Sequence, residues 1–205
     1  MHDLGPAANE LTRLVNGVRD DQLGDPTPCT GYTLGDLLQH VRGLAEAFTL
    51  AGRKEQPSGG SKPPPQGDAS LLPEDWRAET ANWLGRLSDA WSDPGAWEGT
   101  TWIAGFEAPA AAVGFTAANE MVVHGWDVAR ASGQQIFVDD TALAPSREFV
   151  ALMSGPGSEK VRGDAFGPAL PVPAEASALD EVIAGNGRDP AWSRGASVHR
   201  DGNRA

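Results

Sequence analysis

The sequence predicts an all-α fold, a bundle of helices. Apolar residues recur at intervals of three and four in successive segments, which is the spacing of one helix face. Most of these segments are bounded by residues that start or stop helices. A third observation points to function: a glutamate and a histidine, one turn apart, interrupt an otherwise small and apolar stripe at Glu120 and His124.

Residues 4–23 carry the first stripe, with Leu4, Ala8, Leu11, Val15 and Val18 on one face. Gly24-Asp25-Pro26-Thr27-Pro28 breaks it. Cys29, in this connection, reads either as a nucleophile or as a small buried residue. The second is the commoner use, and no histidine or basic residue near it in sequence lowers its pKa. A second helix starts at Thr33, with Asp36 completing a capping box. Its face is Leu34, Leu37, Leu38, Val41, Leu44, Ala45 and Phe48, and His40 sits on or beside that stripe. Asp36, one turn before His40, either orients the imidazole or only caps the helix.

Residues 53–70 are rich in Pro, Gly and Ser and read as a mobile linker. Pro73 suits the first turn of a third helix, whose inner face is Trp76, Thr80, Trp83, Leu84, Leu87 and Trp91. The tryptophans either line a ligand pocket or fill the core, the commoner use. Arg77 and Arg86 either meet an anionic substrate or lie on a solvated face. Asp93-Pro94-Gly95 ends this helix, and residues 97–106 suggest a short extended crossover. The fourth helix spans residues 109–132 and stops at Gly133, with Val113, Ala117, Glu120, His124, Val128 and Ala131 on one face. Residues 144–153 read as a fifth helix and 179–184 as a short sixth. The remainder is irregular, and residues 193–205 are expected to fray, as are the terminal His2 and His199.

The 205 residues suffice for one domain and are short for two, so residues 1–192 are assigned to a single helical domain. A net charge of −12 and scattered basic residues oppose nucleic acid binding. No apolar run approaches a membrane span, and the first ten residues lack a signal peptide pattern. One cysteine permits no intrachain disulfide, so a cytoplasmic protein is expected. The H-E-x-x-H, G-x-S-x-G, Walker A and G-x-G-x-x-G motifs are absent, and Gly155-Pro156-Gly157-Ser158 is not placed between a strand and a helix.

A carboxylate buried alone costs several kcal/mol by order of magnitude unless it is paired or binds a metal. If His40 joins Glu120 and His124, two imidazoles and one carboxylate make three ligands of a zinc-type site with an open fourth position, the mark of a catalytic site. The plainer alternative is an i, i+4 Glu–His pair and an unrelated core histidine.

Pro26-Thr27-Pro28-Cys29, with Gly31-Tyr32-Thr33-Leu34-Gly35-Asp36-Leu37-Leu38-Gln39-His40, resembles the "TPCxGWTVRDLLAHV" opening of the DinB-like, mycothiol-dependent maleylpyruvate isomerase N-terminal family. Residues 120–133 are similar to its "E-x-x-x-H-x-W-D-L-A-x-A-x-G" block. Phe166-Gly167-Pro168 and Asp189-Pro190-Ala191-Trp192 resemble its actinobacterial metal-binding branch. The resemblance runs from the first helix to Trp192. It implies a DinB-like four-helix bundle, here with extra C-terminal helices and an irregular tail. It also implies one divalent metal on His40, Glu120 and His124, zinc first, with nickel, manganese or iron as alternatives.

In thiol-using members the open position takes mycothiol, whose thiolate attacks an electrophilic carbon to give S-transfer or cis–trans isomerisation. A small-molecule substrate or thiol is the expected partner, with no nucleic acid and no membrane, in a monomer or homodimer. The alternatives are a thiol-independent hydrolase or biosynthetic enzyme, and a non-catalytic metal- or ligand-binding protein. The isomerase itself carries a further C-terminal domain that this chain is not long enough to hold complete. Tyr32 and Gly35 also depart from the Trp and Arg of the opening motif. Asp127, one turn after His124, either supports the site as an acceptor or forms a surface ion pair with Arg130.

Overall fold

The structure, a computed structural model, describes residues 2–56, 66–154 and 167–195. Among the described residues six helices run in the order α1 (Gly5–Gly17), α2 (Leu34–Gly52), α3 (Trp76–Trp91), α4 (Ala110–Ser132), α5 (Asp140–Leu152) and α6 (Ala178–Gly185). The first four make a bundle in which α1 and α2 each pack on both α3 and α4. Helices α1 and α2 therefore face each other across it, and residues 18–33 carry the chain over one end. Helix α5 lies on α4, and α6 on α5. The all-α class and the DinB-like arrangement are as expected.

Helix α1 stops at Gly17, earlier than its apolar pattern suggests, because Val18 turns into extended backbone and residues 20–22 form a separate 3-10 turn. Leu14 joins the stripe in the core. Helix α2 begins where its cap predicts: Asp36 N–H donates to Thr33 Oγ1 at 3.2 Å, and Thr33 N–H donates to Asp36 Oδ2 at 2.9 Å. Helix α3 starts at Trp76 rather than in the turn holding Pro73. Trp76 and Trp91 are core residues, and Trp91 Nε1 donates to the Phe48 carbonyl at 2.9 Å. Helix α4 ends at Gly133, whose φ of 75° supplies the left-handed C-cap. Helix α5 begins at Asp140, before the expected residue 144, because Asp139 caps it through the Ala142 N–H.

Residues 97–106 are not a crossover. A 3-10 turn (Pro94–Trp97) leads into an antiparallel hairpin of β1 (Thr100–Ile103) and β2 (Phe106–Pro109). Its two-residue turn, Ala104-Gly105, has positive φ at both positions, the geometry that matches strand twist. Thr101 Oγ1 donates to the Ala51 carbonyl at 2.6 Å and fastens the hairpin to the end of α2.

Two segments expected to be loose are tied down. Residues 66–70 of the Pro-rich stretch are pinned to α2: Ala69 N–H donates to Asp36 Oδ1 at 2.8 Å, and Asp68 N–H to Gln39 Oε1 at 3.3 Å. At the other end, Arg194 pairs with Asp25. Residues 57–65, 155–166 and 196–205 lie outside the described residues. With them go the Pro63–Pro65 run, the Gly155–Ser158 stretch, Phe166 of the C-terminal motif, His199 and most of the expected tail. His2 is not frayed: its ring packs edge-on against Phe115 at 5.5 Å.

Candidate metal centre

Helix α4 presents Glu120 and His124 from successive turns, and α2, packed against α4, brings His40 to them. One ligand atom from each of the three lies within 4.8 Å of the others. The His40 and His124 rings stand edge to face, 5.2 Å between centroids. Tetrahedral zinc, with bonds of about 2.0–2.2 Å, needs donors roughly 3.3–3.6 Å apart, so the set fits a divalent metal after a small closure. Two nitrogens and one carboxylate oxygen also suit zinc chemically.

His124 is held at both ring nitrogens. Nε2 is 2.9 Å from Glu120 Oε2, and Nδ1 is 3.0 Å from Asp127 Oδ2. Burial pushes its pKa down, but the two carboxylates outweigh burial and raise it to about 9. Burial pushes the Glu120 carboxyl up. His124, His40 and Arg188 more than offset this and hold it below its ordinary value. Both shifts favour an imidazolium–carboxylate pair, in which the Nε2 proton occupies the place a metal would take. A metal at this site would therefore compete with that proton.

Asp127 lies against His124, and its ion pair is not with Arg130. The residue is wholly buried, and its cation is Arg188, with Nη2 at 3.2 Å from Oδ2 and Nε at 3.4 Å from Oδ1. Arg130 is engaged elsewhere, over the Trp126 ring and on the Pro190 carbonyl. For Asp36 the structure shows the cap, since its oxygens accept from Thr33 and Ala69.

A cavity of about 860 Å³ opens on His40, Glu120 and His124. Volumes of this order hold drug-sized ligands. Phe48 from α2, Ile103 and Phe106 from the hairpin, Val113 from α4, and Phe149 and Met153 from α5 and its end give it apolar walls. No tryptophan is among the described lining residues, so the tryptophans serve packing. Arg77 and Arg86 do not line it either. Arg77 donates to the Val18 carbonyl and Asp20, and Arg86 stacks on Trp83. Cys29 does line the cavity, but burial pushes its thiol up to about 11 against the influence of Arg188.

Sequence reading missed Arg188 and the Asn119–Asn186 pair. These two amides exchange reciprocal hydrogen bonds at 2.9 and 3.0 Å and tie the end of α6 to α4 beside Glu120. The available signal was indirect: an aspartate that supports the site from inside the bundle requires a cation, and the only one offered to it was Arg130 on the same helix. No helix among the described residues is long and apolar enough to cross a membrane.

Residues 4–129 match the family described as the mycothiol maleylpyruvate isomerase N-terminal domain. Two Mycobacterium tuberculosis proteins, each named only as uncharacterized, are 28% identical over 182 residues, covering 89% of this chain and 93% of theirs. The crystal structure of the mycothiol-dependent maleylpyruvate isomerase superposes with a TM-score of 0.52 at 18% identity, over 75% of this chain and 71% of that one. A histidine-to-alanine mutant of that enzyme matches equally well.

Proposed function

The chain belongs to the mycothiol maleylpyruvate isomerase N-terminal domain family, and on that premise we propose that it is a metal-dependent enzyme acting with a low-molecular-weight thiol, mycothiol first, on a small electrophile. The carrying observation is the convergence of His40, Glu120 and His124 on one side of a ligand-sized cavity. These three residues would hold the metal, zinc before nickel, manganese or iron. A bound metal supplies the positive charge that turns a thiol into a thiolate at neutral pH.

The chain's own residues do the rest. Asp127 accepts the Nδ1 proton of His124, which leaves Nε2 as the ligating atom. The apolar walls exclude water from the electrophile. Cys29 does not supply the nucleophile. Burial pushes its thiol up to about 11, which disfavours a thiolate near neutral pH and supports an attacking sulfur that arrives with the ligand. Addition of the thiolate to a conjugated double bond would allow rotation about the resulting single bond, and expulsion of the same thiolate would complete an isomerisation; attack on a carbon that bears a leaving group would expel that group and give S-transfer.

The test begins with metal content of tag-free protein prepared without chelator. About one equivalent is expected in the parent, and none in His40→Ala, Glu120→Ala or His124→Ala. Thiol-dependent turnover of electrophiles such as maleylpyruvate should disappear in the same variants. A parent that takes up no divalent metal overturns the proposal. A metal-dependent rate that ignores thiol would redirect it to hydrolysis.

A further inference from the structure

We propose that Arg188 is a positioning residue of the metal centre: by clamping Asp127 it fixes the imidazole of His124, so that docking of the α6 segment and metal binding strengthen each other. The proposal rests on the metal reading above and adds a remote part of the chain to it.

The geometry is that of a relay with one end in the C-terminal segment. Arg188 lies 61 residues after Asp127, yet its guanidinium reaches both carboxylate oxygens. Oδ2 is shared between Arg188 Nη2 and His124 Nδ1, so the arginine and the imidazole bind the same atom. Asp127 has no exposed side-chain surface through which bulk solvent could replace a lost partner. Without Arg188, the carboxylate would sit buried on the same helix as Glu120. It would then rotate away toward another partner, which releases Nδ1 of His124.

Arg188 itself is placed by the end of α6. Its own N–H donates to the Ile183 carbonyl at 3.1 Å, and Gly187, at a φ of 78°, turns the chain toward the site. Asn186 is bound to Asn119, the residue before Glu120. The α6 segment thus grips α4 at two points, one beside Glu120 and one beside His124. Any free energy by which this grip improves metal binding must appear equally as metal-dependent tightening of the grip.

Zinc affinity of the full chain, read by competition with a chromophoric chelator, tests the clamp. Arg188→Gln should weaken zinc binding about 10-fold or more. Arg188→Lys keeps the charge but loses the fork, and should fall between the two. Hydrogen exchange on the parent needs no variant: zinc should slow amides of α6 more than those of α3, which does not line the cavity. Arg188→Gln that melts lower but binds zinc like the parent would show a purely structural ion pair and overturn the clamp. So would equal slowing of α6 and α3. A parent that takes up no zinc overturns the centre and the clamp together, and is read before any variant is made.

Discussion

His124 and Asp127 lie one turn apart on α4, with Nδ1 and Oδ2 separated by 3.0 Å and the carboxylate wholly buried. This pair decides which face of the imidazole serves the cavity. Holding Nδ1 on Asp127 directs Nε2 toward Glu120, so under the proposed function Nε2 is the nitrogen offered to a metal.

Asp127→Ala should cost stability and metal affinity together. It leaves Arg188, whose side chain is only 15% exposed, as an unpaired cation, and removing one partner of a buried pair costs about 3–5 kcal/mol. Urea unfolding of the metal-free protein should show the loss. Zinc affinity should fall about 10- to 100-fold. Asp127→Asn, which can still accept from Arg188, should lose less stability.

The His124 pair predicts opposite pH trends with and without metal. In the metal-free protein the His124 pKa is raised from 6.5 to about 9. Its stabilisation is therefore complete below pH 6.5 and lost as pH rises through 9, on the order of a few kcal/mol. Glu120 is lowered, so its contribution is present above 4.5 and lost in acid. Metal-free stability should accordingly decline between about pH 6.5 and 9. Zinc affinity should rise over the same interval, because the competing proton leaves. Flat zinc affinity across this range would contradict the proton–metal competition.

Much of this was legible in the chain. Helices α2 and α4 follow from the Thr33–Asp36 box, the Gly133 stop and apolar spacing, and they carry all three candidate ligands. What spacing could not say is that α2 and α4 pack against each other. The family resemblance supplied that pairing. Arg188 was illegible because its partner is a long-range one, and a lone arginine after Gly187 carries no periodic signal. The hairpin was obscured because its four-residue strands are too short for clear alternation, and Ala104 occupies a turn position where Asn, Asp or Gly is the usual cue.

Cys29 should be slow to react despite lining the cavity. With its thiol pushed up from 9.0 to about 11, its thiolate fraction near pH 7.5 lies roughly 100-fold below that of an unperturbed cysteine. Iodoacetamide labelling of the folded protein should be about 100-fold slower than in denaturant. Cys29→Ala should retain thiol-dependent turnover. Rapid labelling in the folded state, or loss of turnover in the alanine variant, would return Cys29 to the chemistry.

The hairpin turn offers a test of strain at the cavity's edge. Ala104 has a φ of 52°, in the left-handed region where a Cβ crowds the carbonyl oxygen. Ile103, Ala104 and Phe106 all line the cavity, so the turn sets where this apolar wall stands. Ala104→Gly removes the crowding but also loosens the unfolded chain, and the two effects oppose each other. The left-handed penalty of about 1–2 kcal/mol exceeds the entropy term of about 0.4–1 kcal/mol. The variant should therefore gain roughly 0.5–1 kcal/mol in chemical unfolding. Zinc content should be unchanged, because the metal ligands come from α2 and α4. If activity falls while stability rises, the fixed hairpin contributes to catalysis by holding the wall against the substrate. If both hold, the strain is incidental to the reaction.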